Sequence, residues 1–206
     1  MNRTKIDWGI PGLLTWNPIT GCKRGCSYCY ARRIHERFNK GPFTDIVYHF
    51  DRLKEPGKIK ERSVIFVGSM TDHEYWSREY FTGVIQTVQA YSWHEYMFLS
   101  KGSYHQQCID WPKNTMQGLT IDLSRDTFFN SELIGNMVDL PRPFLSIEPL
   151  LGNLYGNMIS DKFERFIVGA MTGPGAMVPK PEWIQSIRDH VPAEKIYWKP
   201  SIRKFL

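Results

Sequence analysis

Six short apolar runs rich in β-branched and aromatic residues recur along this 206-residue chain, with helix-period stretches between them. That alternation restricts the fold more than any other feature. The runs are Leu13–Ile19, Val64–Val67, Tyr96–Ser100, Gly118–Ile121, Phe144–Ile147 and Phe166–Gly169, and Lys195–Trp198 forms a further extended piece. Continuous apolar runs of this length read as strands covered on both faces. The stretches between them predict helices over Tyr30–Phe38, Ser77–Tyr91, Tyr104–Asp110, Ser131–Val138 and Pro181–His190. In the last, Pro181 suits a first helical turn and Trp183, Ile184 and Ile187 share one stripe. The series predicts an α/β fold with a right-handed parallel sheet, laid out as a doubly wound sheet or curled into a partial barrel. In both, ligands sit at the carboxyl ends of the strands. A chain of this size buries roughly 70% of its unfolded surface, so one domain over residues 1–206 is expected.

The residues after the first run are the unusual ones. Cys22, Cys26 and Cys29 form a Cys-x3-Cys-x2-Cys pattern on a glycine-containing loop, Thr20 to Tyr30, that leads into a predicted helix. Three of the four cysteines within eight positions look unlike a disulfide framework and more like a metal site in a reducing compartment. Soft thiolates suit zinc or an iron–sulfur cluster, and both usually take four protein ligands. No fourth cysteine lies nearby. A three-cysteine iron–sulfur cubane leaves one iron open to another ligand. Two alternatives stay open: a zinc site completed by His35, six residues beyond Cys29, and a disulfide between two of the three cysteines.

Composition narrows the class further. The stretch Met1 to Trp8 lacks the apolar run of a secretory signal, and no stretch approaches the ~20 apolar residues of a membrane span. A soluble cytoplasmic protein is expected. The net charge of +5, a pI near 9.0 and an aromatic content of 14% are compatible with nucleic acid, because phosphate attracts Lys and Arg and exposed rings stack on bases. Aromatic core plus solvated lysine gives the same composition.

The cysteine spacing, with Tyr28 and Tyr30 beside Cys29, resembles the signature of the radical S-adenosylmethionine superfamily. The resemblance extends to its phage-associated three-Cys-motif branch, related to spore photoproduct lyase. It is carried by Thr15-Trp16-Asn17-Pro18, Gly21-Cys22 through Cys29-Tyr30-Ala31, Val67 to Asp72, Phe98 to Lys101, Phe144 to Gly152, Val168-Gly169-Ala170 and Gly173 to Ala176. Two segments depart from the family's pattern. Gly169-Ala170-Met171-Thr172 stands where the family has Gly-Gly-Glu-Ser, and Gly118 to Leu123 where it has Gly-Val-Ser-Val-Glu-Asn.

The resemblance implies a partial (βα)6 barrel, a [4Fe-4S] cluster on Cys22, Cys26 and Cys29, S-adenosylmethionine, and an electron donor such as flavodoxin or ferredoxin. It places Gly68, Ser69 and Met70 at the cofactor's amino group, and Thr120 and Asp122 at its ribose. Gly169 is expected to let backbone approach the adenine and Tyr28 to cover that ring, with turn formation or simple packing as the plainer reading of each. Ser146 and Glu148 share a strand face toward cofactor or substrate, with a buried salt bridge or cap as the plainer reading. Glu148, Lys101 and Asp72 are the catalytic candidates. For Lys101 and Lys199 the plainer reading is solvated surface, and for Asp72, His73 and Glu74 it is helix capping. Cys108 reads as a small buried hydrophobe before it reads as a hydrogen donor. The expected substrate is a nucleobase in DNA or a nucleotide, as in phage DNA hypermodification, with a partner protein or the nucleic acid covering the barrel mouth. The alternatives are a zinc-stabilised nucleic-acid-binding module and a radical enzyme acting on a metabolite or peptide.

Overall fold

The computed structural model describes residues 1–38, 41–102, 110–124, 127–156, 159, 161–173 and 175–206, with the backbone alone for 127–129. These fall into two compact units. The first takes in Met1–Lys5 and Ile10–Ser100 and ends at Met116; the second takes in Ile6–Gly9 and Gln117–Leu206.

The first unit holds β1 (Asn2–Arg3), β2 (Leu14–Trp16), β3 (Ile19–Thr20), helix α1 (Tyr30–Phe38), β4 (Val47–Tyr48), β5 (Val64–Val67), helix α2 (Arg78–Ala90) and β6 (Glu95–Ser100). Strand β5 lies between β2 and β6 and runs parallel to both, while β1 edges β2 in the antiparallel sense. The register aligns Leu14 with Ile65 and Tyr96, and Trp16 with Val67 and Phe98. Because strand side chains alternate, both rows emerge on one face. There they join Phe81, Val84, Ile85 and Val88 of α2 in one buried cluster. Ser77 starts that helix, its hydroxyl accepting from the Tyr80 N–H at 3.2 Å.

The run Leu13–Ile19, expected as one strand, breaks in two. Pro18 has no N–H for a ladder, and its carbonyl instead accepts from the His49 N–H at 2.8 Å. Beyond it β3 pairs with β4 in a separate antiparallel ribbon.

The second unit holds β7 (Thr115–Ile121), of which Gln117 onward belongs here, helix α3 (Thr127–Gly135), β8 (Pro143–Ile147), β9 (Arg165–Val168), helix α4 (Pro181–His190), β10 (Ile196–Trp198) and the short helix α5 (Pro200–Arg203). Its four strands are all parallel, in the order β7-β8-β9-β10. One face carries the apolar rows Leu119, Leu145, Phe166, Ile196 and Ile121, Ile147, Val168, Trp198. The other carries Gly118, Thr120, Phe144, Ser146, Arg165, Ile167 and Tyr197. A Cβ on Gly118 would lie 2.1 Å from the Phe144 ring, so the glycine makes room for that ring across β7.

The helix expected over Ser131–Val138 sits earlier, at Thr127–Gly135, because Gly135 and Asn136 are weak helix formers. Beyond them the chain passes into turns, with Met137 N–H donating to Ile134 and Leu140 N–H to Met137. The helix expected over Tyr104–Asp110 lies outside the described residues apart from Asp110, and so does Cys108. Among the described residues no helix is long and apolar enough to cross a membrane.

His73 is a buried titratable group of the first unit, edge-on to the rings of Trp76, Phe81, Phe98 and Trp111 at 6.0 to 6.3 Å. Burial pulls its imidazole down to about 4, against a weaker upward pull from Asp72. The unfolded chain therefore binds a proton between pH 6.5 and about 4 that the folded chain refuses. Stability should fall with pH through that window, by up to about 1.4 kcal/mol per pH unit, and stay level above it. Urea midpoints at about pH 7.5 and about pH 5 are expected to differ by less in His73→Leu than in the wild-type chain.

Candidate functional site

The cysteine loop is joined to the carboxyl end of β5 by backbone. Gly21 forms a parallel bridge with Thr71, its N–H donates to the Met70 carbonyl at 3.0 Å, and Thr71 Oγ1 donates to the Gly21 carbonyl at 2.6 Å. On its other side the Cys22 N–H donates to the Phe43 carbonyl at 2.8 Å. Gly21 has φ +97, and a Cβ there would stand 1.9 Å from the Asp45 carbonyl oxygen. No other residue fits.

Below the join, Gly68 turns the chain at φ +77. Asn17 holds the turn, its Oδ1 accepting from the Ser69 hydroxyl at 3.1 Å and the Met70 N–H at 3.2 Å. The Tyr30 hydroxyl donates to the Ser69 carbonyl at 2.6 Å and so links the first residue of α1 to the same turn. The expected trio Gly68, Ser69 and Met70 is thus brought beside the cysteine loop, with Ser69 already bonded through both its hydroxyl and its carbonyl.

Arg24, inside the loop, ties it to the next segment. Its Nε donates to Asp72 Oδ2 at 3.2 Å, its terminal nitrogen pairs with Glu74, and its guanidinium lies 5.7 Å from the Tyr75 ring centre. Asp72 is buried and also accepts from Ser100 Oγ at 2.6 Å and from the Glu74 N–H at 3.2 Å, capping the short turn His73–Tyr75. The geometry therefore gives Asp72 a structural tie between loop, turn and β6.

Cys22, Cys26 and Cys29 are free thiols, each half-buried. The Cys29 N–H donates to the Cys26 carbonyl at 3.3 Å, and Cys29 Sγ accepts from the Arg32 N–H at 3.4 Å. Burial pushes the Cys22 thiol up to about 11, against the Arg24 amide hydrogen bond that lowers it, and the neighbouring Asp72, Cys29 and Cys26 raise it further. Three sulfur donors on one loop match in kind and number the donor set of a three-thiolate cubane. Among the described residues no three His, Cys, Asp or Glu side chains converge closely enough to hold an ion. His35, the alternative zinc ligand, turns its ring toward Phe43 and sets Nε2 2.9 Å from the Gly41 carbonyl. Tyr28 is half-buried on the loop.

The second unit gathers a separate polar group at its own strand ends. Thr120 and Ser146 are register partners, both buried, on the face that also carries Arg165 and Tyr197. Glu148 pairs with Lys199 at 2.5 Å, both half-buried. A Cβ on Gly169 would stand 3.0 Å from Glu148 Oε1 and from Lys199 Cδ, so the bare backbone gives the pair its seat. Lys199 is therefore no free surface lysine. Asp122 Oδ1 accepts from the Ser124 N–H at 3.0 Å and its hydroxyl at 2.6 Å, closing a local turn. Lys101 is half-buried.

Asn17, Arg24 and Thr71 received no role from the sequence. All three lie inside segments that carry the family resemblance, which is the signal available for them.

The sheet is mostly parallel with helices packed on it, a mixed α/β arrangement that has a counterpart among solved structures. It is similar to the structure of spore photoproduct lyase, solved as a cysteine-to-alanine variant with a dinucleoside spore photoproduct, with a TM-score of 0.50 at 15% identity. The match covers 64% of this chain and 44% of that one, so the chain spans less than half the length of that enzyme. A family model described as protein of unknown function (DUF5131) matches residues 3–199, and the chain belongs to that family. No curated protein matches it.

Gly21→Ala is expected to destabilise the chain by at least about 2 kcal/mol in urea unfolding, because backbone on both sides prevents relief. Lys199→Met leaves the Glu148 carboxylate without its cation and should cost about 1–3 kcal/mol. The double variant Lys199→Met with Glu148→Gln should cost less than the sum of the single changes. Additive costs would mean that the pair contributes nothing.

Proposed function

We propose that this protein is a radical S-adenosylmethionine enzyme of the partial (βα)6 barrel type, with Cys22, Cys26 and Cys29 holding a [4Fe-4S] cluster. The observation that carries the reading is the three-thiol loop fastened by Gly21 to the carboxyl end of a parallel sheet, where ligands of such folds bind. Held by Cys22, Cys26 and Cys29, the cluster would supply one-electron reduction of S-adenosylmethionine and so radical abstraction of a substrate hydrogen.

The chain's own residues position and shield that chemistry. The bond from Tyr30 to Ser69 and the Asn17 bonds to Ser69 and Met70 fix the turn expected at the cofactor's amino group. Thr120, Asp122, Ser146 and Gly169 are assigned to the cofactor, and Tyr28 to its adenine. Glu148 and Lys101 are assigned to the substrate. Glu148 reaches that role held in place by its contact with Lys199. Phe66 and Met97 are buried apolar side chains of β5 and β6 that help exclude water.

For the substrate, a nucleobase in DNA or a nucleotide is favoured. The similar enzyme was solved with a dinucleoside, and the net charge of +5 suits a phosphate-bearing partner. The reaction is a rearrangement, cleavage or carbon–carbon bond formation on that base, as in phage DNA hypermodification.

Under anaerobic conditions with dithionite, the cluster-loaded protein should release 5′-deoxyadenosine from S-adenosylmethionine. Cys26→Ala should keep its circular dichroism spectrum and lose that release to background. Unchanged release in the variant would overturn the ligand assignment. Nucleoside mass spectrometry after incubation with modified DNA tests the substrate class.

A further inference from the structure

Helix α1 starts one residue after Cys29 and buries a single residue, Ala31. Its apolar side chains Tyr30, Ile34 and Phe38 recur every fourth position and share one face. That face is open: Tyr30 is 43% exposed, Ile34 45% and Phe38 72%. A helix of nine residues is marginal by itself and draws most of its stability from packing an apolar face. Here Ile34 and Phe38 of that face stand exposed.

The rim of the stripe is basic. From Cys22 to Phe38 the sequence holds Lys23, Arg24, Arg32, Arg33 and Arg37 against Glu36 alone. Arg24 is engaged by Asp72 and Glu74, whereas among the described residues Lys23, Arg33 and Arg37 form no ion pair and stand exposed. Arg37 lies over the Phe38 ring at 5.2 Å. An apolar stripe flanked by exposed arginines is the composition of a protein-docking patch, and an exposed aliphatic such as Ile34 adds nothing to phosphate binding.

The patch is mechanically continuous with the metal loop. The Arg32 N–H donates to Cys29 Sγ, the Arg33 N–H donates to the Cys29 carbonyl at 3.4 Å, and the Tyr30 hydroxyl reaches the Ser69 carbonyl. We infer that the outer face of α1 is the docking surface for a small acidic one-electron carrier protein, an inference that rests on the iron–sulfur reading above. The carrier is oxidised by one electron and the protein gains it. Acidic side chains of the carrier answer the arginines and steer the encounter, and its apolar contact covers Ile34 and Phe38.

The test uses flavodoxin as the acidic carrier. Its binding to the cluster-loaded protein is measured by calorimetry at low and moderate salt for the wild type, for Ile34→Glu with Phe38→Glu, and for Arg33→Glu with Arg37→Glu. Each double variant should weaken binding about tenfold or more, and wild-type binding should weaken with salt. Because the substituted side chains are exposed, dithionite-driven 5′-deoxyadenosine release should stay within about twofold of wild type.

Unchanged flavodoxin binding in both variants would overturn the docking surface. So would loss of DNA binding or of self-association with flavodoxin binding intact, or an equal loss of the dithionite-driven rate. Failure of the wild type to release 5′-deoxyadenosine with dithionite would instead fault the iron–sulfur reading, and the binding data would still judge the surface.

Discussion

The structure of the first unit depends on one backbone junction, the two-sided bonding of Gly21 to Met70 and Thr71. Hydrophobic burial by itself leaves a loop such as Cys22–Cys29 without a fixed position, because the loop has little apolar surface to bury. The junction fixes its start, the Arg24 pairs fix its middle, and the bond from Tyr30 to Ser69 fixes its exit into α1. Each tie ends on the segment Ser69–Glu74, which follows a parallel strand. The loop is thereby held where a parallel fold presents its ligands.

The two units follow the same arrangement by different means. In both, a parallel sheet turns apolar rows to one face and leaves its carboxyl ends to carry polar groups. In the first unit those groups are sulfur, amide and a shared carboxylate. In the second they are two buried hydroxyls and the Glu148–Lys199 pair over Gly169. Half-burial makes such a pair costly to break and gives its geometry definition. A carboxylate held by one cation keeps its second oxygen for another donor.

The sequence was legible where the signal was local. Val64–Val67, Tyr30–Phe38 and Pro181–His190 were read with both ends correct because each shows an unbroken period or a plain start. β1 was missed because Asn2–Arg3 carries no apolar signal and pairs only through backbone. The run Leu13–Ile19 was read too long because its apolar continuity outweighed Pro18. Partners were harder than elements. Arg24 and Asp72 are 48 positions apart and Glu148 and Lys199 are 51 apart, distances at which a single sequence says nothing about who meets whom. Helix α1 is the instructive case: the spacing of Tyr30, Ile34 and Phe38 suggests a core-facing stripe, and the chain leaves it facing outward.

On the proposed reading, the three thiolates of this loop would hold a cubane whose remaining iron would take S-adenosylmethionine. Paramagnetic resonance of the reduced, cluster-loaded protein tests it most directly, with S-adenosylmethionine labelled by nitrogen-15 at its amino group and oxygen-17 at its carboxylate. The expected result is a cluster signal that changes on cofactor addition and acquires hyperfine coupling to both labels. A signal indifferent to the cofactor, or a protein that takes up zinc and gives no signal at all, would refute the cluster assignment.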